Sequence, residues 1–314
     1  MQAVIEAIRP VATGIVQLSL KPEAASQALE VTPGAHIDLH LPNGLVRQYS
    51  LINPAAGETL DVAVNLDPHS RGGSRCVHQD LKAGDRIEIS PPRNNFPLDE
   101  SAHQSIFIAG GIGITPILAM VRRLSELGRA WTLYHCARTP ERTPFMAELR
   151  ILAARVGASL VHVHDGMPGI APLDIAAVVD AAQDDAQFYC CGPKPLMAAF
   201  EAATAKLPPA RVHVEYFAND AVRAKGHEFE LVCARSGMTL TIPAGCSVLE
   251  ALEARGMAPL CSCREGVCGT CETAILAGEA DHRDLVLSPD ERASNATMMI
   301  CVSRAKTPSL TLDL

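Results

Sequence analysis

Aromatic residues are scarce in this chain, at 4% of 314 residues with a single tryptophan, and basic residues are outnumbered by acidic ones, for a net charge of −8. Both features argue against a nucleic-acid binder, which needs basic patches with interleaved aromatic rings. No run approaches the 18 or more apolar residues of a membrane span, and the opening MQAVIEAIRPV lacks the layout of a signal peptide. A cytoplasmic protein without a membrane partner, monomeric in isolation, is the expectation. There is no internal repeat, no low-complexity tract, no Ser/His/Asp arrangement and no G-x-G-x-x-G fingerprint. Cysteine is the exception to this list of absences. Eleven cysteines, an odd number in a chain this long, do not resemble a disulfide framework, and in a reducing compartment they are free to act as thiolates.

Four of them are arranged for metal. Within Pro259–Cys271, reading PLCSCREGVCGTC, Cys263, Cys268 and Cys271 follow C-x4-C-x2-C, and Cys301 is a fourth candidate downstream. This is the plant-type spacing for a [2Fe–2S] cluster, with Gly266 and Gly269 allowing the loop to bring amides toward sulfur. A zinc ribbon would need a second C-x2-C pair, and only Cys268/Cys271 is present. Cys261 has no place in the spacing and reads as a small loop residue.

The length implies two or three domains. Residues 1–100 give short alternating runs at Ala3–Ile8, Ile15–Leu20, His36–Leu41, Leu45–Ile52, Leu60–Leu66 and Arg86–Ile89, separated by Gly and Pro. That pattern predicts a small antiparallel β-barrel. From Ser105 the pattern becomes strand and helix in alternation, which predicts a doubly wound parallel sheet over 101–218. In the helix from Pro195, Leu196, Phe200, Ala203 and Leu207 mark an apolar face. A linker over 219–226, small and polar, precedes a last domain at 227–314, where Ser247 and Glu250 form a capping box ahead of the cysteine loop.

Each further candidate site has a plain alternative. Arg47-Gln48-Tyr49-Ser50 could serve a flavin from a barrel strand, or be an ordinary strand with a surface arginine. Arg71-Gly72-Gly73-Ser74 could cradle a phosphate at a helix N-terminus, or be a glycine turn capped by Ser74. Gly110-Gly111-Ile112-Gly113-Ile114-Thr115-Pro116 lies between a strand and a helix, where small residues let amides approach a pyrophosphate; a ligand-free turn is the alternative. Cys191-Gly192-Pro193 ends the last strand of that sheet and precedes a helix, with Cys191 toward the crevice; a vicinal disulfide or plain burial is the alternative for Cys190. His162 and His164 share a strand face but have no third ligand near them in sequence.

Taken in this order, these motifs resemble the phthalate dioxygenase reductase family. To them are added Val77-His78, Pro92-Arg93-Asn94, Phe96-Pro97-Leu98, Glu215 with Phe217, His282-Arg283-Asp284 and Cys301-Val302-Ser303-Arg304-Ala305. The resemblance implies a β-barrel, a nucleotide-binding α/β domain and a C-terminal β-grasp ferredoxin domain. It implies FMN held by Arg47, Tyr49, Ser50, Gly72, Gly73 and Ser74, and NADH at Gly110, Gly111, Gly113, Thr115, Pro116, Cys191, Gly192 and Pro193. Thr115 and Cys191 would lie by the nicotinamide and Phe217 against the flavin. The cluster would be held by Cys263, Cys268, Cys271 and Cys301. The implied activity is passage of electrons from NADH to a Rieske-type oxygenase or demethylase of aromatic catabolism. A stand-alone NADH:flavin reductase is the alternative. Arg138 and Arg142 stand where a 2′-phosphate of NADP could be met.

Overall fold

The computed structural model describes residues 1–23, 29–53, 55, 57–217 and 226–314, and the chain divides into two compact units, Met1–Glu215 and Tyr216–Leu314. Apart from Gly226, the expected linker lies outside the described residues.

In the first unit, strands β1 (Gln2–Ala12), β2 (Ile15–Pro22), β3 (His36–His40), β4 (Val46–Ser50), β5 (Leu60–Asn65) and β6 (Arg86–Ile89) form an antiparallel sheet of order β4-β3-β6-β1-β2-β5. A bridge between Leu51 and Val62 brings its two edges together, so the sheet rolls into the barrel expected of the alternating runs. Alternate residues Ala3, Ile5, Leu18, Leu20, Ile37, Leu39, Val62 and Val64 fill the interior. Cys76 and Val77 close it from the short helix α1 (Gly73–Gln79). Irregularities in β1 at Ile5/Ala7 and Pro10/Ala12 shift its register against β2.

The same unit continues with β7 (Ser105–Gly110), α2 (Ile114–Glu126), β8 (Thr132–Ala137), α3 (Met146–Val156), β9 (Ser159–His164), α4 (Ile175–Asp180), β10 (Gln187–Cys191), α5 (Lys194–Thr204) and β11 (Val212–Glu215). Its strands are all parallel, in the order β11-β10-β7-β8-β9. A strand covered on both faces should read as a continuous apolar run, and β7 is buried at all six positions. The strand order reverses between β7 and β10, and a ligand crevice opens at such a reversal. The apolar face of α5 is rotated from expectation: Met197, Phe200 and Thr204 are buried, while Leu196, Ala203 and Leu207 lie half-buried beside them. Ile52 and Phe96, from the barrel region, join the core of the parallel sheet, which is why the two sheets form one unit.

The second unit comprises β12 (Phe229–Cys233), β13 (Met238–Ile242), α6 (Val248–Glu253), β14 (Glu272–Ala277), β15 (Ala280–Asp281), α7 (Pro289–Ser294), β16 (Thr297–Met299), β17 (Arg304–Ala305) and β18 (Ser309–Leu312). Its mixed sheet has the order β13-β12-β18-β14-β16, with β18 parallel to β12 and antiparallel to β14. The Ser247–Glu250 capping box starts α6 as expected, and Val248, Leu249 and Leu252 pack it onto the sheet. Among the described residues no helix is long and apolar enough to cross a membrane.

Candidate functional site

The Arg47 side chain lies over the start of α1: a Cβ added to Gly73 would stand 2.7 Å from its Nε and 2.8 Å from its Cγ. Two motifs 25 residues apart in sequence are thus one surface. Gly72 (φ +100°) is the N-cap of α1, and Ser74 is not: its hydroxyl donates to Ser70 Oγ at 3.0 Å. Arg47 donates to Val46 O at 2.8 Å and has no carboxylate partner among the described residues. An uncompensated guanidinium beside two glycines fits an anionic group such as a phosphate. Tyr49 is pushed up to about 12 by burial, so its hydroxyl stays a hydrogen-bond donor.

At the end of the parallel sheet, Gly110, Gly113 and Gly192 are required by contact. A Cβ on Gly110 would overlap Pro193 and Leu196, and one on Gly113 would overlap the Cys191 carbonyl. Gly111 differs: its φ is +55° and the space above it is open. The two predicted motifs therefore interlock, with bare backbone at Gly111 facing the space a pyrophosphate would need. The buried Thr115 hydroxyl donates to Ile112 O at 3.0 Å, and Pro116 sits in the first turn of α2, which begins at Ile114. Cys191 is fully buried and pairs with Glu215 in the neighbouring strand; burial first, then Glu215, raises its thiol well above the ordinary value, so it is neutral.

Glu215 is the site residue that sequence reasoning left without a role. Ser50 Oγ donates to its Oε2 at 3.3 Å, and burial pushes the carboxyl up to about 8. A barrel strand and the last sheet strand thereby meet at one hydrogen bond next to Cys191. Its signals in the sequence were a carboxylate ending the strand VHVE and its place beside Phe217 in the family resemblance. Phe217 lies just past the division between the units and is 41% exposed.

In the second unit the loop holding Cys263, Cys268 and Cys271 turns through positive φ at Arg264, Gly266 and Gly269. Gly266 is pressed against Val302 and Asp284, and its carbonyl accepts from Leu285 N at 2.8 Å. The buried Asp284 carboxylate accepts from Leu287 N at 2.8 Å, Val286 N at 3.1 Å and Ser303 Oγ at 3.4 Å. It thus ties the His282–Asp284 turn to the segment carrying Cys301. Sulfur receives backbone donors from Glu265 N to Cys263 at 3.3 Å and from Thr270 N to Cys268 at 3.5 Å. The Cys263 thiol is drawn below its ordinary value, chiefly by the neighbouring Cys268 thiol and then Cys301. Buried thiols approached by amides fit a soft metal centre.

Cys261 departs from the expectation of a mere loop residue: its sulfur groups with those of Cys271 and Cys301, all within 4.8 Å of one another. Cys190 is buried and free, donating to Met197 sulfur at 3.7 Å. His162 and His164 are half-buried and stack at 6.2 Å; the third histidine missing from their sequence neighbourhood is His135, across β8 at 5.7 Å from His162. Burial lowers His135 to about 4, and the three form no metal-ligand group. Arg138 and Arg142 follow β8, as expected.

These features define an oxidoreductase in which a nucleotide-binding sheet and a ferredoxin domain share one chain. Family models agree: an oxidoreductase NAD-binding domain matches residues 107–202 and a 2Fe-2S iron-sulfur cluster binding domain matches 218–306. The chain is 49% identical over 311 residues to phenoxybenzoate dioxygenase subunit beta of Ectopseudomonas oleovorans, covering 99% of this chain and 96% of that one. It is 45% identical over 311 residues to tetrachlorobenzoquinone reductase of Sphingobium chlorophenolicum, covering 98% and 96%. The solved structure of phthalate dioxygenase reductase, described as modular for electron transfer from pyridine nucleotides to [2Fe-2S], matches with a TM-score of 0.72 at 38% identity, over 100% of this chain and 98% of that one. The chain belongs to the phthalate dioxygenase reductase family.

Proposed function

We propose that the protein is the reductase component of a multicomponent oxygenase, oxidising NADH and delivering electrons singly to a separate Rieske-type oxygenase that hydroxylates or demethylates an aromatic substrate. The observation that carries this reading is the combination, in one chain, of a glycine-lined crevice at a strand-order reversal and a thiol-lined loop. When bound, FMN supplies the conversion between a two-electron hydride donor and a one-electron [2Fe–2S] acceptor.

The chain's residues bind and orient. Arg47 with the Gly72, Gly73 and Ser74 turn holds the FMN phosphate, and Tyr49 and Ser50 contact the flavin from the same strand. The backbone at Gly110, Gly111 and Gly113, with Thr115, Pro116, Gly192 and Pro193, receives the dinucleotide. Cys191, neutral and buried, offers a small uncharged surface to the nicotinamide. Glu215, its carboxyl pushed up to about 8 by burial, and Ser50, which donates to it, form a proton-holding pair at the crevice. Phe217 is the aromatic that covers the flavin. Cys263, Cys268, Cys271 and Cys301 hold the cluster, and Leu260, 80% exposed beside the loop, with Arg264 offers the oxygenase an apolar and charged landing surface. In isolation the protein is a cytoplasmic monomer of three domains, 1–100, 101–218 and 227–314.

A second reading, an NADH reductase acting on a small oxidised acceptor, draws on the kinship with tetrachlorobenzoquinone reductase. The Cys268→Ser variant separates the two. Transfer to cytochrome c and support of a purified oxygenase should vanish while NADH oxidation by a small two-electron acceptor persists. Equal loss of both activities in a folded, FMN-loaded variant would sink the division of labour.

A further inference from the structure

The cysteine loop contains one thiol more than its cluster requires. A [2Fe–2S] centre of the plant type takes four cysteine ligands, and five sulfurs converge here. Three of them form one compact group: the sulfurs of Cys261, Cys271 and Cys301 lie within 4.8 Å of one another. Thiolates on one tetrahedral metal with bonds of ~2.3 Å stand roughly 3.8 Å apart, so a modest inward movement converts the trio into a ligand set. Cys271 and Cys301 are buried and Cys261 is half-buried, flanking the buried Ser262. Cys261 is therefore held at the cluster's edge and is not a solvent-facing thiol on a free loop.

We propose that Cys261 is a reserve ligand of the cluster site, able to take the place of Cys271 or Cys301 when either is lost. The proposal rests on the reading of this loop as a [2Fe–2S] site. Ligation forms one iron–sulfur bond and releases the thiol proton to solvent, with no change in oxidation state. The substitution is directional, because Cys261 groups with Cys271 and Cys301 and not with Cys268. Loss of Cys268 should accordingly leave no replacement, consistent with the abolished transfer expected for Cys268→Ser.

The test uses full-length protein reconstituted anaerobically with ferrous iron and sulfide, with iron and acid-labile sulfide content and the electron paramagnetic resonance spectrum of the dithionite-reduced protein as readouts. Wild type and Cys261→Ala should carry the cluster with matching spectra. Cys271→Ala should retain a cluster with shifted g-values, and Cys261→Ala/Cys271→Ala should bind at least about ten-fold less iron. A Cys271→Ala protein as empty as the double variant, beside a loaded Cys261→Ala protein, overturns the proposal. Cys301→Ala, alone and combined with Cys261→Ala, repeats the test at the trio's other buried member; failure of both single variants to load is decisive against it. An empty wild type would instead overturn the reading of the loop, and the proposal with it.

Discussion

The two units assemble their chemistry by opposite means. In Met1–Glu215 the candidate site draws on residues far apart in sequence that meet in pairs: Arg47 over Gly73, Ser50 with Glu215, and Gly113 against Cys191 where β7 and β10 lie side by side at the strand-order reversal. In Tyr216–Leu314 it is a 13-residue stretch, Pro259–Cys271, completed by Cys301. The first site is made of backbone approach and burial, so it is sensitive to shape. The second is made of donor atoms, so it is sensitive to identity, with Asp284 and Gly266 as its framework. This contrast explains why small residues dominate one site and thiols the other.

The largest break in this comparison should come from Gly113→Val. A side chain there overlaps the Cys191 carbonyl, which is backbone and cannot swing away. Overpacking of this kind costs about 1–3 kcal/mol or more. NADH oxidation should fall at least roughly ten-fold, while the visible spectrum of the cluster stays as in wild type. A cluster lost together with NADH oxidation would show that the two sites are not independent.

Asp284→Ala probes the framework of the other unit. It leaves Val286 N, Leu287 N and Ser303 Oγ without their acceptor, at a cost of about 1–3 kcal/mol for each group that stays buried and unpaired. The expected result is a lower melting temperature for the ferredoxin unit and slow cluster loss, followed by absorbance, with NADH oxidation by a small two-electron acceptor unaffected. An unchanged melting transition would remove Asp284 from the framework.

A further prediction is a pH dependence confined to the first unit. The Glu215 carboxyl titrates near 8 in the fold against an ordinary value of 4.5 when unfolded. Between those values the native state holds a proton that the unfolded state has lost, so the stabilisation is complete below 4.5 and is lost as pH rises toward 8. Glu215→Gln, neutral throughout, should flatten that part of the melting temperature profile. A profile parallel to wild type would show that the carboxyl is not held protonated.

Much of this was readable from residue order because the signals were local. Alternation in Ile15–Leu20, the strand and helix switching after Ser105 and the capping box at Ser247 each depend on neighbours a few positions away, and the fold follows them. Glu215 was not readable in this way. A carboxylate acquires its shifted proton affinity from what surrounds it, and its hydrogen-bonding partner Ser50 lies 165 residues away. His135 as a third member of the His162/His164 group was likewise hidden, since parallel strands pair through a crossover.

The sequence by itself determined the order of the sheets, the glycine turns and the spacing of Cys263, Cys268 and Cys271, because period and spacing are properties of adjacent residues. Only the tertiary structure decided that Arg47 covers Gly73, that Ser50 meets Glu215 and that Cys261 stands with Cys271 and Cys301. Those contacts depend on which strands and loops become neighbours, and on how much water burial removes from each polar group.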